Sequence, residues 1–313
     1  MTIRTFQLGD DVAQVSIYNE AASALPAFKP ATVDEVRRRC SARDFDPATR
    51  IYAVADGRPV AYISYQANGR IGYPWCRRGH EGFAETLFHH AVDALRQRGI
   101  RRAFAAYRAD WPQQGNFFLT RGFAQTREML NYVLELVEMP TPAALPSLNI
   151  GPLTPADLPR VIELGAGVLR ITDPAVLESY LFHNPLFPPR SLFALRHRSG
   201  EPPVGVALVV TGTGYAHPTA VDSAQPCFRL GAFGTEGMST KRINGLFSLL
   251  VAPDARDLNG IGVDLLTYAS HQIEDTEVDT FAAQVPSDAP HLARFYKSLF
   301  RRQGSFPIFE RDL

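Results

Sequence analysis

A segment in the carboxyl-terminal third of the chain reads Leu249-Leu250-Val251-Ala252-Pro253-Asp254-Ala255-Arg256-Asp257-Leu258-Asn259-Gly260-Ile261-Gly262-Val263-Asp264-Leu265-Leu266. An apolar strand ends at Pro253, a polar loop follows, and Gly260 and Gly262 open a helix whose apolar face starts at Val263. Glycine lets the main chain approach a ligand closely. The free amides and the dipole of a first helical turn favour an anion. We therefore expect an α/β fold with a phosphate-binding loop here.

Two common phosphate-binding motifs do not match this loop. No Gly-Lys-Ser or Gly-Lys-Thr follows the glycines, which excludes a Walker loop. The third glycine of a dinucleotide-binding fingerprint is missing, and a β-hairpin precedes the strand. The loop therefore belongs to another class of α/β protein.

The order of elements around this loop occurs twice in the chain. Three prolines between Met139 and Ser147 remove backbone donors and predict a linker, which we place at residues 139–149. Residues 1–138 and 150–313 then each read as a short strand, a helix, a β-hairpin and alternating helices and strands. The second copy is longer, and its extra residues fall most naturally in the Gly-, Thr-, Ser- and Pro-rich segment 212–242. The sequence thus predicts two domains of one plan.

Composition narrows the class of protein. Apolar residues make up 45% of the 313, which is ordinary for a folded protein, and 32 basic residues balance 32 acidic ones. A chain without net charge has no field that would collect it on nucleic acid or an anionic membrane. Three widely spaced cysteines argue against a disulfide framework or a zinc site. No signal-peptide pattern and no membrane-spanning apolar run is present, so we expect a cytoplasmic protein.

The loop and one later helix resemble the GNAT superfamily of N-acetyltransferases. The family's coenzyme A loop reads Gln/Arg-x-x-Gly-x-Gly/Ala and opens a helix, and residues 257–262 match both glycine positions but have Asp257 where Gln or Arg is usual. A late helix of the family reads Ala-x-x-Phe-Tyr-x-x-Leu-Gly-Phe, and residues 290–300 are similar, with Tyr296 at the tyrosine position. The resemblance implies an α/β (α+β) fold: two GNAT-like domains in tandem, each with a mixed, mostly antiparallel sheet flanked by helices.

The resemblance also implies acetyl-CoA as co-substrate and direct transfer of its acetyl group to an amine of a small molecule or peptide. Tyr296 is then matched to protonating the departing thiolate. The strand end would hydrogen-bond the pantetheine arm and polarise the thioester carbonyl. The residues expected to contact the coenzyme are Leu250, Val251, Asp257, Leu258, Asn259, Gly260, Ile261, Gly262 and Val263.

A general base is harder to assign from the residues. Glu236, in the insertion between Gly234 and Gly237, could reach the mouth of the site, although a surface-loop glutamate is the more natural interpretation. No His-Glu-x-x-His or acidic triplet indicates a metal, and no Gly-x-Ser-x-Gly indicates a hydrolase.

The first half departs further from the family pattern. It has Phe118 at the tyrosine position, and its loop at residues 74–83 lacks the glycine spacing, so we expect a degenerate domain that shapes the substrate cleft. Catalysis is expected in the second half. The alternative is a non-catalytic acyl-CoA-binding or scaffold protein, because both loops depart from the family pattern. A nucleic-acid-binding module would need a salt-dependent affinity that the balanced charge does not favour.

Overall fold

The structure is a computed structural model that describes residues 2–41, 45–139, 149–169, 171–183, 187, 189–211, 245–272 and 278–313. The predicted insertion with Glu236, and all but the first and last residues of the predicted linker, lie outside the described residues.

Both halves contain the same elements in the same order. The first half runs β1 (Thr2–Thr5), α1 (Asp10–Ala22), α2 (Val33–Cys40), β2 (Arg50–Ala55), β3 (Arg58–Ser64), β4 (Trp75–Cys76), α3 (Phe83–Gln97), β5 (Arg102–Ala106), α4 (Pro112–Leu119) and β6 (Ala124–Glu135). The second half runs β7 (Asn149–Pro152), α5 (Leu158–Leu164), α6 (Pro174–Phe182), β8 (Leu192–Arg196), β9 (Gly205–Val210), β10 (Gly245–Val251), α7 (Leu258–His271), β11 (Thr280–Pro286), α8 (Pro290–Leu299) and β12 (Arg301–Asp312). Mixed sheets flanked by helices confirm the predicted fold class.

The chain forms two compact units whose limits differ from the ranges predicted from the sequence. The first contains Met1–Arg127 and Phe306–Leu313, and the second contains Glu128–Ser305. The difference comes from the last strand of each half. In the second unit, β6 pairs antiparallel with β11, from Thr280 opposite Glu135 to Pro286 opposite Met129. In the first unit, β12 pairs antiparallel with β5 through residues 308–312. Strand patterning indicates where a strand lies but not which partner it takes, so sequence alone did not reveal this exchange.

Each unit packs helices on its sheet through regular apolar faces. In the first unit, α3 buries Leu87, Phe88, Ala91, Val92 and Leu95, a spacing that follows the helical repeat. Burial of one such large side chain contributes about 1.5–3 kcal/mol, so this face holds α3 against the sheet.

In the second unit, the start of α7 is set by two close approaches. Ile261 lies over Gly205 of β9, where a Cβ atom would be 2.7 Å from the isoleucine side chain. Gly262 lies against the ring of Phe295 of α8, where a Cβ atom would be 2.4 Å from a ring carbon. These glycines let the helix pack tightly on the sheet and on its neighbouring helix.

No helix among the described residues is both long and apolar enough to cross a membrane.

The strand exchange predicts that Phe309, although it lies in the second half of the sequence, stabilises the first unit. This residue of β12 is 3% exposed and stacks on Phe118 in the first unit, with 6.4 Å between ring centroids. We expect Phe309→Ala to destabilise the first unit by about 3–5 kcal/mol, the usual cost of removing a buried phenylalanine ring. Hydrogen exchange should show lost protection in β5 and α4. Phe300→Ala, in the core of the second unit, is the matched control. Loss of protection confined to residues 128–305 in the Phe309 variant would contradict the exchange.

The packing also predicts different effects of substitution at two glycines that lie near helix starts. We expect Gly262→Ala to cost about 1–3 kcal/mol, because the added methyl group overpacks against Phe295. Gly82 precedes α3 with φ of −58°, and a Cβ atom there meets nothing within 4 Å. Gly82→Ala should therefore be neutral or stabilise by about 0.4–1 kcal/mol. Denaturant unfolding of both variants measures the difference, and equal effects would rule out the proposed packing role of Gly262.

Candidate functional site

The candidate site of the second unit begins where two parallel strands separate. β10 and β11 pair only through Gly245 with Phe281 and Leu246 with Ala282. Beyond this point β10 stays paired with β9 as far as Val251, and β11 stays paired with β6 as far as Pro286. A gap therefore opens between two strands that are each held on their outer side.

The edge of β10 that faces this gap carries backbone groups without a strand partner. The amide of Leu249 donates a hydrogen bond to the Tyr296 hydroxyl at 3.0 Å. Peptide groups two residues apart point to the same side of a strand, so the groups of Val251 face the gap as well. Those of Leu250 point to β9, where Leu250 lies opposite Val206. Of the two strand residues predicted to bind pantetheine, only Val251 presents its backbone to the gap.

Tyr296 reaches this edge from the buried face of α8. Its side chain is 2% exposed, and its ring stacks on that of Tyr132, with 5.8 Å between centroids. Burial raises the pKa of Tyr296 well above its usual range, and the hydrogen bond from Leu249 opposes this only in part. The hydroxyl is therefore neutral and keeps its proton at physiological pH.

The predicted phosphate-binding loop ends at a helix start that already has an acceptor. Asp257 is the N-cap of α7, and its carboxylate accepts the Gly260 amide at 2.9 Å. Burial raises the pKa of Asp264 in the next turn, and the charge of Asp257 adds to this effect. The two carboxyl groups are thus close enough to interact. Asp257, which the sequence placed among the residues expected to contact a coenzyme, caps the helix in the structure.

The remaining residues predicted from the loop occupy the first turns of α7 with different exposures. Asn259 is exposed, Leu258, Gly260 and Val263 are half-buried, and Ile261 and Gly262 are buried. The amides of Leu258 and Asn259 belong to the first turn and have no acceptor within the helix. Gly262 meets the ring of Phe295, so its small size serves helix packing. Phe295 precedes Tyr296, and this contact brings the start of α7 close to the gap.

One residue at the gap was not singled out from the sequence. His291, in the first turn of α8, is hydrogen-bonded to the Val251 backbone, and its Nε2 is buried with no partner among the described residues. Burial lowers the pKa of His291, while the bond with Val251 opposes the shift. The ring is therefore mainly neutral at pH 7. The sequence offers little indication that His291 lies at the gap, because a single histidine next to a proline has no diagnostic spacing.

The first unit has Phe118 at the position that corresponds to Tyr296. Phe118 is fully buried, with its ring near those of Phe123 and Tyr107, at 5.2 and 5.8 Å between centroids. It offers no proton, as the sequence indicated. Its α3 begins at Gly82 without a side-chain cap, unlike the start of α7.

Comparisons with known proteins identify the fold. Neither protein-family models nor curated protein sequences match the chain. Among solved structures, a GCN5-related N-acetyltransferase from Sphaerobacter thermophilus is similar over 99% of this chain and 95% of its own, at 16% identity and a TM-score of 0.64. A tandem GNAT protein from the clavulanic acid biosynthesis pathway is similar over 99% of this chain and 98% of its own, at 15% identity and a TM-score of 0.57.

A third similar structure is much longer than this chain. It contains a GCN5-related glucosamine N-acetyltransferase region of a fungal multi-domain β-N-acetylglucosaminidase. The similarity covers 99% of this chain but only 38% of that one, at 13% identity and a TM-score of 0.66. Similarity along the whole chain, together with two halves of identical element order, leads to one conclusion: the protein has the fold of the GNAT superfamily, with two GNAT-like halves in tandem.

Proposed function

We propose that this chain is an N-acetyltransferase that moves an acetyl group from acetyl-CoA directly to the amine of a small molecule or peptide. The observation that carries the proposal is the gap between β10 and β11, where the Tyr296 hydroxyl accepts a hydrogen bond from the Leu249 amide. A fold shared with N-acetyltransferases supports the same chemistry.

The hydrogen bond at Leu249 defines where a thioester would lie. A thioester carbonyl oxygen can take the place of the tyrosine hydroxyl as acceptor of this amide. The amide would then stabilise the negative charge that develops on that oxygen during attack, as an oxyanion-hole donor does. Since the sulfur is bonded to the same carbonyl carbon, the displaced Tyr296 hydroxyl would remain close to it.

The transfer then balances without a covalent enzyme intermediate. The amine nitrogen attacks the carbonyl carbon, the C–N bond forms and the C–S bond breaks. The Tyr296 hydroxyl gives its proton to the departing thiolate, and the proton lost by the amine restores the tyrosine. Burial raises the pKa of Tyr296, which keeps the hydroxyl protonated at neutral pH but also makes it a weaker acid.

The phosphate end of the coenzyme would meet the start of α7, where the helix dipole favours an anion and the Asp257 carboxylate opposes one. Two unit charges about 4 Å apart interact by about 1–4 kcal/mol near a protein surface. Asp257 therefore limits the affinity of this helix start for a pyrophosphate. Glu236 remains a prediction for the general base, and it lies outside the described residues.

The role of Tyr296 predicts a specific loss of rate. Tyr296→Phe should lower the transfer rate constant about 10²–10⁴-fold, the usual worth of general acid catalysis, with little change in acetyl-CoA affinity. Steady-state release of free CoA across a panel of amines, together with calorimetric binding of acetyl-CoA, measures both quantities. Tyr132→Phe removes a hydroxyl from the ring stacked on Tyr296 and is the matched control. Equal rates for wild type and Tyr296→Phe would exclude the donor role.

The charge of the α7 cap predicts that its removal increases the affinity for acetyl-CoA. Asp257→Asn keeps an oxygen that can accept the Gly260 amide but removes the charge, so the helix should persist. We expect acetyl-CoA to bind this unit about tenfold more tightly, corresponding to about 1.4 kcal/mol of relieved repulsion. Asp254→Asn changes the charge of the same loop without touching the cap and should have a smaller effect. Weaker binding by Asp257→Asn would mean that the carboxylate contacts the coenzyme favourably, as the sequence suggested.

A further inference from the structure

The first unit contains a gap built like the one in the second. Residues 69–71 run parallel to β5 for a short distance: the amide of Ile71 donates to the carbonyl of Phe104 at 2.9 Å, and the amide of Phe104 donates to Gly69 at 2.9 Å. The chain then leaves β5 and forms β4, which pairs with β3 instead. The backbone between Ile71 and β4 thus separates from β5, as β10 separates from β11.

The amide exposed by this separation is again bound by a tyrosine hydroxyl. The Tyr73 amide donates a hydrogen bond to the hydroxyl of Tyr107, the residue that directly follows β5. In the second unit the Leu249 amide makes the same bond to Tyr296 of α8. The hydroxyl therefore occupies the same place at the strand edge in both units, although it arrives from a different element.

Tyr107 has the protonation state that a proton donor needs. Burial raises the pKa of Tyr107 to about 12, and the bond from the Tyr73 backbone opposes the shift. The hydroxyl is thus neutral at physiological pH. Its ring stacks on Phe118, with 5.8 Å between centroids, so the residue that lacks a hydroxyl packs directly beside the one that carries it.

An unsatisfied polar atom lies on the helix face that covers this gap. Trp111, Gln114, Phe117 and Phe118 follow the helical spacing and share one face. The three aromatic residues each contact Tyr73 or Tyr107: Trp111 and Phe118 stack on Tyr107, and the ring of Phe117 lies 5.1 Å from that of Tyr73.

Gln114 is 2% exposed and, with Phe118, is one of the two buried residues of α4. Its Oε1 is buried and has no hydrogen-bond partner among the described residues. A buried acceptor without a donor costs about 1–3 kcal/mol, so a ligand that supplies an N–H group would be stabilised by this oxygen. An acyl thioester on an amide-containing arm has such a group close to its sulfur.

We infer that the first unit is a second acyl-thioester site, in which Tyr107 is the proton donor and Gln114 accepts an amide N–H of the thioester arm. The inference rests on the proposed acetyl transfer but assigns it a separate site and separate residues. The Tyr73 amide passes from the tyrosine hydroxyl to the thioester carbonyl oxygen. The amine nitrogen forms the new C–N bond, the C–S bond breaks, the sulfur takes the Tyr107 proton, and the proton lost by the amine returns to the tyrosine.

The first experiment measures CoA release from acetyl-CoA by the full chain with a panel of amines. Tyr107→Phe should lower the rate of the first unit about 10²–10⁴-fold without weakening acetyl-CoA binding, most clearly in a Tyr296→Phe background. Adding Phe118→Tyr to Tyr107→Phe should restore part of the rate, because the new hydroxyl belongs to the neighbouring stacked ring. Tyr52→Phe is the matched control: it removes a buried hydroxyl that binds Gln14 at 2.9 Å and does not touch the gap.

The second experiment needs no turnover. It measures the chemical shifts of the Tyr73 and Leu249 backbone amides by ¹⁵N-resolved NMR. Acetyl-CoA should shift the Tyr73 amide, because its acceptor changes, and Gln114→Leu should weaken this response while that of Leu249 persists. Turnover that is insensitive to Tyr107→Phe, or binding that shifts Leu249 but not Tyr73, would overturn the second site and leave the proposed function intact. Acetyl-CoA that neither binds nor is turned over would refute both proposals.

Discussion

A backbone amide that leaves its strand partner inside a folded unit must find another acceptor, and this requirement organises both units of the protein. In each unit two parallel backbone segments separate, and each separation frees an amide on the facing edge. A tyrosine hydroxyl satisfies that amide in both cases, at Leu249 and at Tyr73. Because a hydroxyl both accepts and donates, the group that binds the freed amide can also deliver a proton.

The start of α7 shows that glycine in a loop does not by itself indicate ligand binding. Gly260 and Gly262 have the spacing of an anion-binding loop, yet the first is bound by the Asp257 carboxylate and the second packs against Phe295. A helix N-terminus satisfied by its own cap has less to offer an external anion. In the first unit, α3 lacks such a cap although its loop matches the family pattern less well. Sequence similarity and electrostatic suitability therefore point to different helices.

The last strand of each half lies largely in the other compact unit: residues 128–135 of β6 belong to the second unit and residues 306–312 of β12 to the first. β6 completes the sheet beside β11, and β12 pairs with β5 and brings Phe309 into the core of the first unit. Each unit consequently needs residues from both halves of the sequence. Neither half of the sequence alone contains all the residues of a compact unit.

Sequence periodicity and turn residues determined most of the elements, the internal repeat and the α/β class, because these depend on neighbouring residues. The resemblance of residues 290–300 to the late helix of the GNAT superfamily singled out Tyr296, since that motif is read from consecutive residues. Tertiary structure alone decided three features: the strand partners of β6 and β12, the packing role of Gly262, and the hydrogen bond between the Tyr107 hydroxyl and the Tyr73 amide. Each depends on a contact between residues far apart in the chain. Alternation and spacing describe which side of an element is buried, but not what lies against it.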